Sequence, residues 1–413
     1  MNHLKTLFLA LLLAAFAAEA GAETNSPYTR YGYGDINGTS FSASRAMGGI
    51  GVGYRNRRAI NPVNPASYSA VDTMTFMFDA GGSFARSSFT SGGERMTKAG
   101  GGFDYLTLQF PVTRFVGVSF GVAPYSTVGY AFSSADTVTS IPNGDIKEEI
   151  KQSYEGSGGI SQFYGGVSAT FLDHFAAGVN LYYMFGNIMH YKASAPTSVS
   201  GSATSQRSSL YIKDLRLRYG VQYFTNIDDK QQLTAGAIFE GKSQMNGDFA
   251  FNTKGGGGLD DTITTKYGFD FPMTVGAGIH YIYNKKWSAG LDYTFQQLEK
   301  AHYYGKTDSL SNTSRFALGV EYLPDMYGAK LYKRLRYRAG ATFSTPYVKM
   351  SEPFNNYSLM AGFGIPFRRN ASMLNIGFEY GKNGSKKLIE ESYLKMTLSL
   401  TFVETWFFKR EIR

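Results

Sequence analysis

The chain reads as all-β: a 14-stranded antiparallel transmembrane β-barrel with an N-terminal plug, or hatch, in its lumen. Apolar residues alternate with small or polar ones from Thr73 to Phe407, the period of strands with one apolar face. Connections alternate between short turns and longer polar loops, the usual asymmetry of outer-membrane barrels. The 48 Gly, 30 Tyr and 32 Phe stand beside only 12 Pro and 2 Trp. Glycine relieves crowding in a wall, and aromatics supply interfacial girdles.

Residues 1–22 read as a secretory signal peptide. Lys5 gives the positive region, Leu7 to Ala18 is apolar but too short to span a bilayer, and Ala18-Glu19-Ala20 or Ala20-Gly21-Ala22 offers a cleavage site. An N-terminal anchor helix is the alternative. The sequence has no cysteine, which excludes a lipid-modified N-terminus and a disulfide framework. No later run approaches the roughly 20 apolar residues of a membrane helix. The net charge of +9 is scattered, with no basic block longer than Arg57-Arg58 or Lys386-Lys387, so nucleic acid is not an expected partner.

Strands are expected near 73–88, 101–111, 115–133, 147–171, 175–194, 206–225, 232–251, 262–283, 286–304, 310–323, 334–349, 356–367, 372–383 and 392–407. In the ninth, Trp287, Ala289, Leu291, Tyr293 and Phe295 oppose Ser288, Gly290, Asp292, Thr294 and Gln296. In the last, Leu394, Met396, Leu398, Leu400 and Phe402 oppose Lys395, Thr397, Ser399 and Thr401. Short turns fall at Thr113-Arg114, Asp173-His174, Ile227–Lys230, Asn284-Lys285 and Arg369-Asn370, with a longer one around Pro324–Leu331. Longer loops fall near 89–100, 134–146, 195–205, 252–261, 305–309, 350–355 and 384–391. A soluble β-sandwich is the competing architecture, but its strands run about 5–6 residues, whereas several here approach 20. The barrel is assigned to 73–413.

Residues 23–72 do not alternate. Ser42–Tyr54 could hold a short helix before a glycine stretch, and two Asn-Pro steps, Asn61-Pro62 and Asn64-Pro65, precede the first strand. Their aromatic and apolar content argues against a disordered tail. A fourteen-strand lumen is too wide for wall side chains alone to fill, so this segment is expected to fold inside it.

The stretch SRAMGGIGVGYRNRRAINPVNPASYS resembles the N-terminal hatch of the FadL family, outer-membrane transporters of long-chain fatty acids and other hydrophobic compounds. The match falls on Met47-Gly48-Gly49-Ile50-Gly51 and Asn64-Pro65-Ala66. Asn56-Arg57-Arg58 replaces the acidic pair common between those motifs, and Asn61-Pro62 is additional. The resemblance implies passive uptake of hydrophobic small molecules through a monomeric barrel in outer-membrane lipid, without ATP or cofactor. It also implies a lumen site closed below by the hatch and a sideways exit through a wall gap.

Pro124 cannot donate to a ladder, and Gly121 nearby has no side chain, so the two form the candidate lateral-gate strand break. A simple bulge accommodating the plug is the alternative. By parity, Met77, Met184, Ile188 and Met360 face inward as candidate lumen lining, or as contacts to the plug. Glu240, Asp292, Glu321, Arg336, Arg338 and Glu379 are inward charges expected to solvate the lumen or pair with the hatch. His3, His174, His190, His280 and His302 show no metal-ligand spacing, and neither Gly48–Gly53 nor Gly255–Gly258 ends in Gly-Lys-Ser/Thr. No catalytic or metal residue is therefore assigned, and the chain is not expected to be an enzyme. A second function stays open: a barrel of the same fold serving a secretion system or surface assembly. A continuous apolar pocket would favour transport, and a filled lumen with protruding loops would favour assembly. A polar porin is disfavoured by residues 23–72.

Overall fold

The computed structural model describes residues 25–405, apart from 37–40, 140–146, 197–202, 256–259, 266–267, 304, 308, 351, 353 and 368–371. The expected signal segment, the Arg369-Asn370 turn and Trp406, Phe407 and Phe408 lie outside the described residues.

Fourteen antiparallel strands close into a barrel. The first seven are β1 (Thr75–Ser91), β2 (Glu94–Pro111), β3 (Val116–Thr139), β4 (Lys147–Phe171), β5 (Phe175–Pro196), β6 (Thr204–Asp228) and β7 (Gln231–Glu240). The rest are β8 (Met273–Tyr283), β9 (Trp287–Gln297), β10 (Thr313–Tyr322), β11 (Arg336–Ser344), β12 (Asn356–Pro366), β13 (Met373–Gly384) and β14 (Glu390–Thr405). Each pairs with its sequence neighbours, and β14 closes on β1 from Glu390↔Thr90 to Thr405↔Thr75. Closure removes the sheet edges that lipid could not satisfy.

Alternation sorts the two faces as its period requires. Leu181, Tyr183, Leu215, Leu217, Leu291, Leu394 and Leu398 are exposed on the outside, while Asn180, Arg216, Asp292, Ser399 and Thr401 are buried inside. At the short-turn end the outward faces carry a belt of rings. Trp287 stacks on Tyr322 at 4.2 Å, Phe175 meets Tyr223 at 5.0 Å, and Tyr337 meets Phe363 edge-on at 5.8 Å. Such belts mark the membrane–water interface.

The wall departs from the expected strands in several places. The loop expected at 89–100 is strand, because Gly92 and Gly93 take positive φ (58° and 87°) and turn β1 into β2 in two residues. The strand expected at 232–251 stops at Glu240. Gly247–Lys254 then rejoins the wall higher up, on Ser205–Ile212 of β6, and pairs with Asp260–Thr265. Between these pieces, Ser243–Met245 turns inward and pairs with Phe269–Phe271, and Met245, Phe269 and Phe271 are buried. The expected strand at 262–283 is split accordingly, with Pro272, which has no N–H to donate, at the break. Strands β9 and β10 are also shorter than expected, because Leu298, Ala301 and Leu310 leave the wall and bury in the lumen.

The result is lopsided. Strands β3 to β6 have 24, 25, 22 and 25 residues, whereas β7 to β13 have between 9 and 12. At about 3.3 Å per residue and roughly 40° of tilt, 25 residues rise about 60 Å. That is about twice the hydrocarbon thickness. One side of the barrel therefore stands well clear of the membrane.

Candidate functional site: the lumen and its N-terminal segment

Residues 25–36 and 41–72 run down the inside of the barrel, from the tall end to the short-turn end. A 3₁₀ turn at Ser42–Met47 packs on β1 and β10 to β14, and a second at Pro65–Ala70 packs on β2 to β6. The stretch between them lies against Gly236, Gly278 and Asp292 of β7, β8 and β9. The segment thus meets every strand of the wall.

Close approach is possible because the inward face carries glycine where backbone meets backbone. Met47-Gly48 lies on Gly319 and Gly340, Val52 on Gly236, Gly53 on Gly278, Asn64-Pro65 on Gly178 and Gly220, and Tyr68 on Gly117. These glycines are cross-strand neighbours in pairs: Gly319↔Gly340, Gly236↔Gly278 and Gly178↔Gly220. Gly48 and Gly49 themselves need glycine, since both are left-handed (φ 68° and 70°) as the chain leaves the first 3₁₀ turn.

Polar groups fix the depth of the segment. Asp292 accepts the N–H groups of Gly51 (2.5 Å), Val52 (2.7 Å) and Gly53 (3.4 Å), a nest of amides around one buried carboxylate. The Nδ2 of Asn61 donates to Gly51 C=O (2.7 Å) and Tyr54 C=O (2.8 Å). The Nδ2 of Asn64 donates to Val52 C=O (2.8 Å) and to Val221 C=O in the wall (3.2 Å), while its Oδ1 caps Ala66 N–H (3.1 Å). The two Asn-Pro steps therefore clamp the Gly51–Tyr54 strip as well as stiffening the connector.

Arginines complete the clamp. Arg315 donates to Gly48 C=O (2.6 Å), Arg218 to Val63 C=O (3.4 Å), and Arg55 to Ala66 C=O (2.9 Å) and Thr170 Oγ1 (3.1 Å). Burial, with Arg57 nearby, pulls the Arg55 guanidinium down to about 10, so it remains charged at neutral pH. Arg45 pairs with Asp104, which a bulge in β2 opposite Gly81 and Gly82 aims into the lumen.

Of the charges expected inside, Asp292 holds the segment, as just described. Glu240 pairs with Arg216 and Arg218, Glu321 pairs with Arg336 and Arg338, and Glu379 accepts from Tyr393. His280 bonds Ser288 Oγ (2.7 Å) and meets the Tyr54 ring edge-on. Among the described residues, no group of His, Asp and Glu could hold a metal ion.

The expected lumen-lining residues separate into three environments. Met77 packs with Ile60, Val71 and Val403 where the segment enters β1. Met184 and Ile188 join a packed cluster with Tyr33, Phe41, Tyr68, Tyr164 and Phe271. Only Met360 borders the open lumen cavity, about 490 Å³, whose walls mix the charges of Arg45, Arg216, Arg218, Arg315, Lys395 and Glu379 with apolar Ile36, Val63, Ile238, Val348, Met350 and Phe354. The largest apolar side chains are thus packed against each other, and the remaining space is bordered by charged and apolar groups in similar measure.

The wall is interrupted beside β3. Strands β2 and β3 pair only from Pro111↔Gly117 to Leu106↔Val122. Beyond that point β2 follows β1 and β3 follows β4, with a register shift between Pro124 and Ser126. Gly121 is still inside the ladder, opposite Thr107, where an added Cβ would meet the Leu106 carbonyl at 2.7 Å. The N-terminal segment takes the edge that β2 leaves. Asp35 and Ile36 pair with Thr127 and Ser126, Thr29 Oγ1 accepts Gly129 N–H (3.2 Å), and Asn25 donates to Ala99 C=O (3.4 Å) on the β2 side. Above them Lys98 Nζ donates to Ala131 C=O (3.1 Å).

Sequence reasoning missed Arg45, Asp104 and the glycine contacts. The signal for the last was present: glycine recurs on the inward parity of successive strands near the short-turn end.

Solved structures share this fold. A monoaromatic hydrocarbon channel, CymD, superposes with a TM-score of 0.60 at 14% identity, covering 91% of this chain and 100% of its own. A FadL homologue from Pseudomonas aeruginosa gives 0.61 at 13%, covering 90% and 100%, and the toluene transporter TodX from Pseudomonas putida gives 0.56 at 13%, also covering 90% and 100%. These neighbours are channels and transporters of FadL type, and at such identity the likeness extends to the fold. No curated protein sequence matches the chain. A family model described as BamG matches residues 3–413, nearly the full length, and the chain therefore belongs to the BamG family, with a FadL-type barrel as its fold.

Proposed function

We propose that this protein is a monomeric outer-membrane barrel that works closed, as a component of a membrane or surface assembly. The observation that carries this is the state of the lumen. The described interior holds a packed aromatic cluster and a cavity whose walls mix charged with apolar groups, and residues 25–36 and 41–72 between them touch every wall strand. A site for hydrophobic ligands needs a mostly apolar concavity, whereas Arg45, Arg216, Arg218, Arg315, Lys395 and Glu379 share this one with its apolar groups. The tall wall of β3 to β6 adds a surface beyond the membrane that transport does not require.

A second reading is passive passage of hydrophobic small molecules, long-chain fatty acids among them. The wall interruption above Leu106 and Val122 favours it, as a sideways exit that Asp35 and Ile36 would have to vacate. Under this reading Met47, Gly48, Gly49, Gly51, Asn61, Pro62, Asn64, Pro65 and Ala66 form the hatch, and Pro124 lies at the exit.

One experiment separates the two. Because the chain lacks cysteine, the pair Ile36→Cys with Ser126→Cys can lock the segment onto β3 by a single disulfide. If the closed barrel is the working form, the oxidised variant restores a deletion strain as well as wild type does, and neither protein carries labelled fatty acid into liposomes. Uptake by wild type that disappears on oxidation and returns on reduction would establish the transport reading instead.

A further inference from the structure

The described turns 112–115, 172–174, 229–230 and 284–286 are tight, but 323–335 joins β10 to β11 by a much longer excursion at the same end. It is ordered by its own bonds. Asp325 N–H donates to Lys333 C=O (2.8 Å), Tyr327 N–H donates to Asp325 Oδ1 (3.0 Å), and Leu331–Arg334 forms a single helical turn. The Tyr337 hydroxyl donates to Tyr332 C=O (3.0 Å), which holds the loop back over the outside of the wall.

An open groove of about 550 Å³ results, lined by Tyr322, Pro324, Asp325, Tyr332, Lys333 and Tyr337. Its floor is the aromatic belt. Tyr322 and Tyr337 are cross-strand partners, and Tyr322 also stacks on Trp287. The loop itself exposes Met326, Tyr327, Leu331 and Tyr332, with Tyr327 at 90%. It carries Lys330, Lys333 and Arg334 against the single acid Asp325, and the Arg334 Nε is buried with no partner. Rings and aliphatics beside cations, at the level of an interfacial belt, match the boundary between acyl chains and headgroups.

We propose that this groove binds an anionic glycerophospholipid of the leaflet next to the short-turn end, which is periplasmic in outer-membrane barrels. An acyl chain lies along Tyr322 and Tyr337, and the headgroup phosphate meets Lys333, with Lys330 and Arg334 adding positive charge from the same loop. The groove floor continues the lipid-facing wall and Lys333 lines the groove, with Lys330 and Arg334 beside it in the same loop, so a membrane lipid fits it better than a soluble partner. This site is independent of what the lumen does.

Trp287 supplies a probe at the groove, once the only other tryptophan is removed by Trp406→Phe. The purified barrel in nonionic detergent is titrated with brominated phosphatidylglycerol or brominated phosphatidylcholine, and quenching of Trp287 is read. The expected result is roughly fivefold tighter quenching by phosphatidylglycerol, the effect of about one membrane-apposed cation. That preference is lost in Lys330→Gln/Lys333→Gln/Arg334→Gln and kept in Arg114→Gln, on a different turn. Heat-shift electrophoresis shows that each variant is folded. Equal quenching by the two lipids in the parent, a preference that survives the triple change, or displacement by inorganic phosphate alone would overturn the proposal.

Discussion

Asp292 shows how much a single inward side chain decides. Its carboxylate accepts three consecutive backbone N–H groups from Gly51, Val52 and Gly53, and no other side chain shares those donors among the hydrogen bonds described. Bonds to a charged acceptor contribute about 1.5–3 kcal/mol each at most, and buried donors left without partners carry a desolvation cost. Asp292→Ala is therefore expected to loosen the strip by about 3 kcal/mol without opening the wall, since strand pairing does not use that side chain. Hydrogen exchange should accelerate at residues 50–54 and stay unchanged in β9; unchanged exchange in both would show that glycine contact alone positions the strip. At Gly236 the constraint is steric. A Cβ there would strike the Val52 carbonyl, so even alanine must displace the segment.

At the scale of elements, the connector Ile60–Ala66 can be tested against its own geometry. Asn61 and Asn64 each bond the Gly51–Tyr54 strip, and Pro65 lies on Gly178 and Gly220. Replacing Asn64-Pro65 by Gly-Gly removes a cap, a wall bond and a fixed φ together. The expected outcome is a loosened segment and faster swelling of proteoliposomes in small sugars, whereas an unchanged rate would reduce the motif to a start signal for β1. This element also shows what the sequence could reveal. The alternation of β9 and β14 was readable because one face meets lipid and the other does not, and a period of two is a local property. The wall bonds of Asn64 were not readable, because Val221 and Ala237 come from strands more than 150 residues away. Residues 241–272 misled for a related reason. Met245, Phe269 and Phe271 are apolar enough for a wall, and only the shape of the lumen decides that they bury inside it.

For the whole molecule the question is whether wall and segment are one folding unit or two. Strand pairing runs unbroken from β3 through β14 to β2, and the β14–β1 seam alone spans Thr75 to Thr90. That ladder satisfies most of the wall's backbone without help from inside, and only the edges of β2 and β3 above Leu106 and Val122 draw on the segment, through Asp35 and Ile36. The interior argues differently: Arg218, Arg315, Asp104 and Asp292 all lose partners if the segment is absent. Those groups would then face water in a widened lumen, where charge is tolerated, so the loss falls on stability more than on closure. Deleting residues 23–70 behind an intact signal is accordingly expected to give a barrel that still inserts and still shifts on heating, but unfolds at a lower temperature. It should conduct ions in a planar bilayer while the intact protein stays closed. A deleted form that never reaches the folded position on gels would show instead that the segment is the core on which the lopsided wall assembles, and that the two are inseparable.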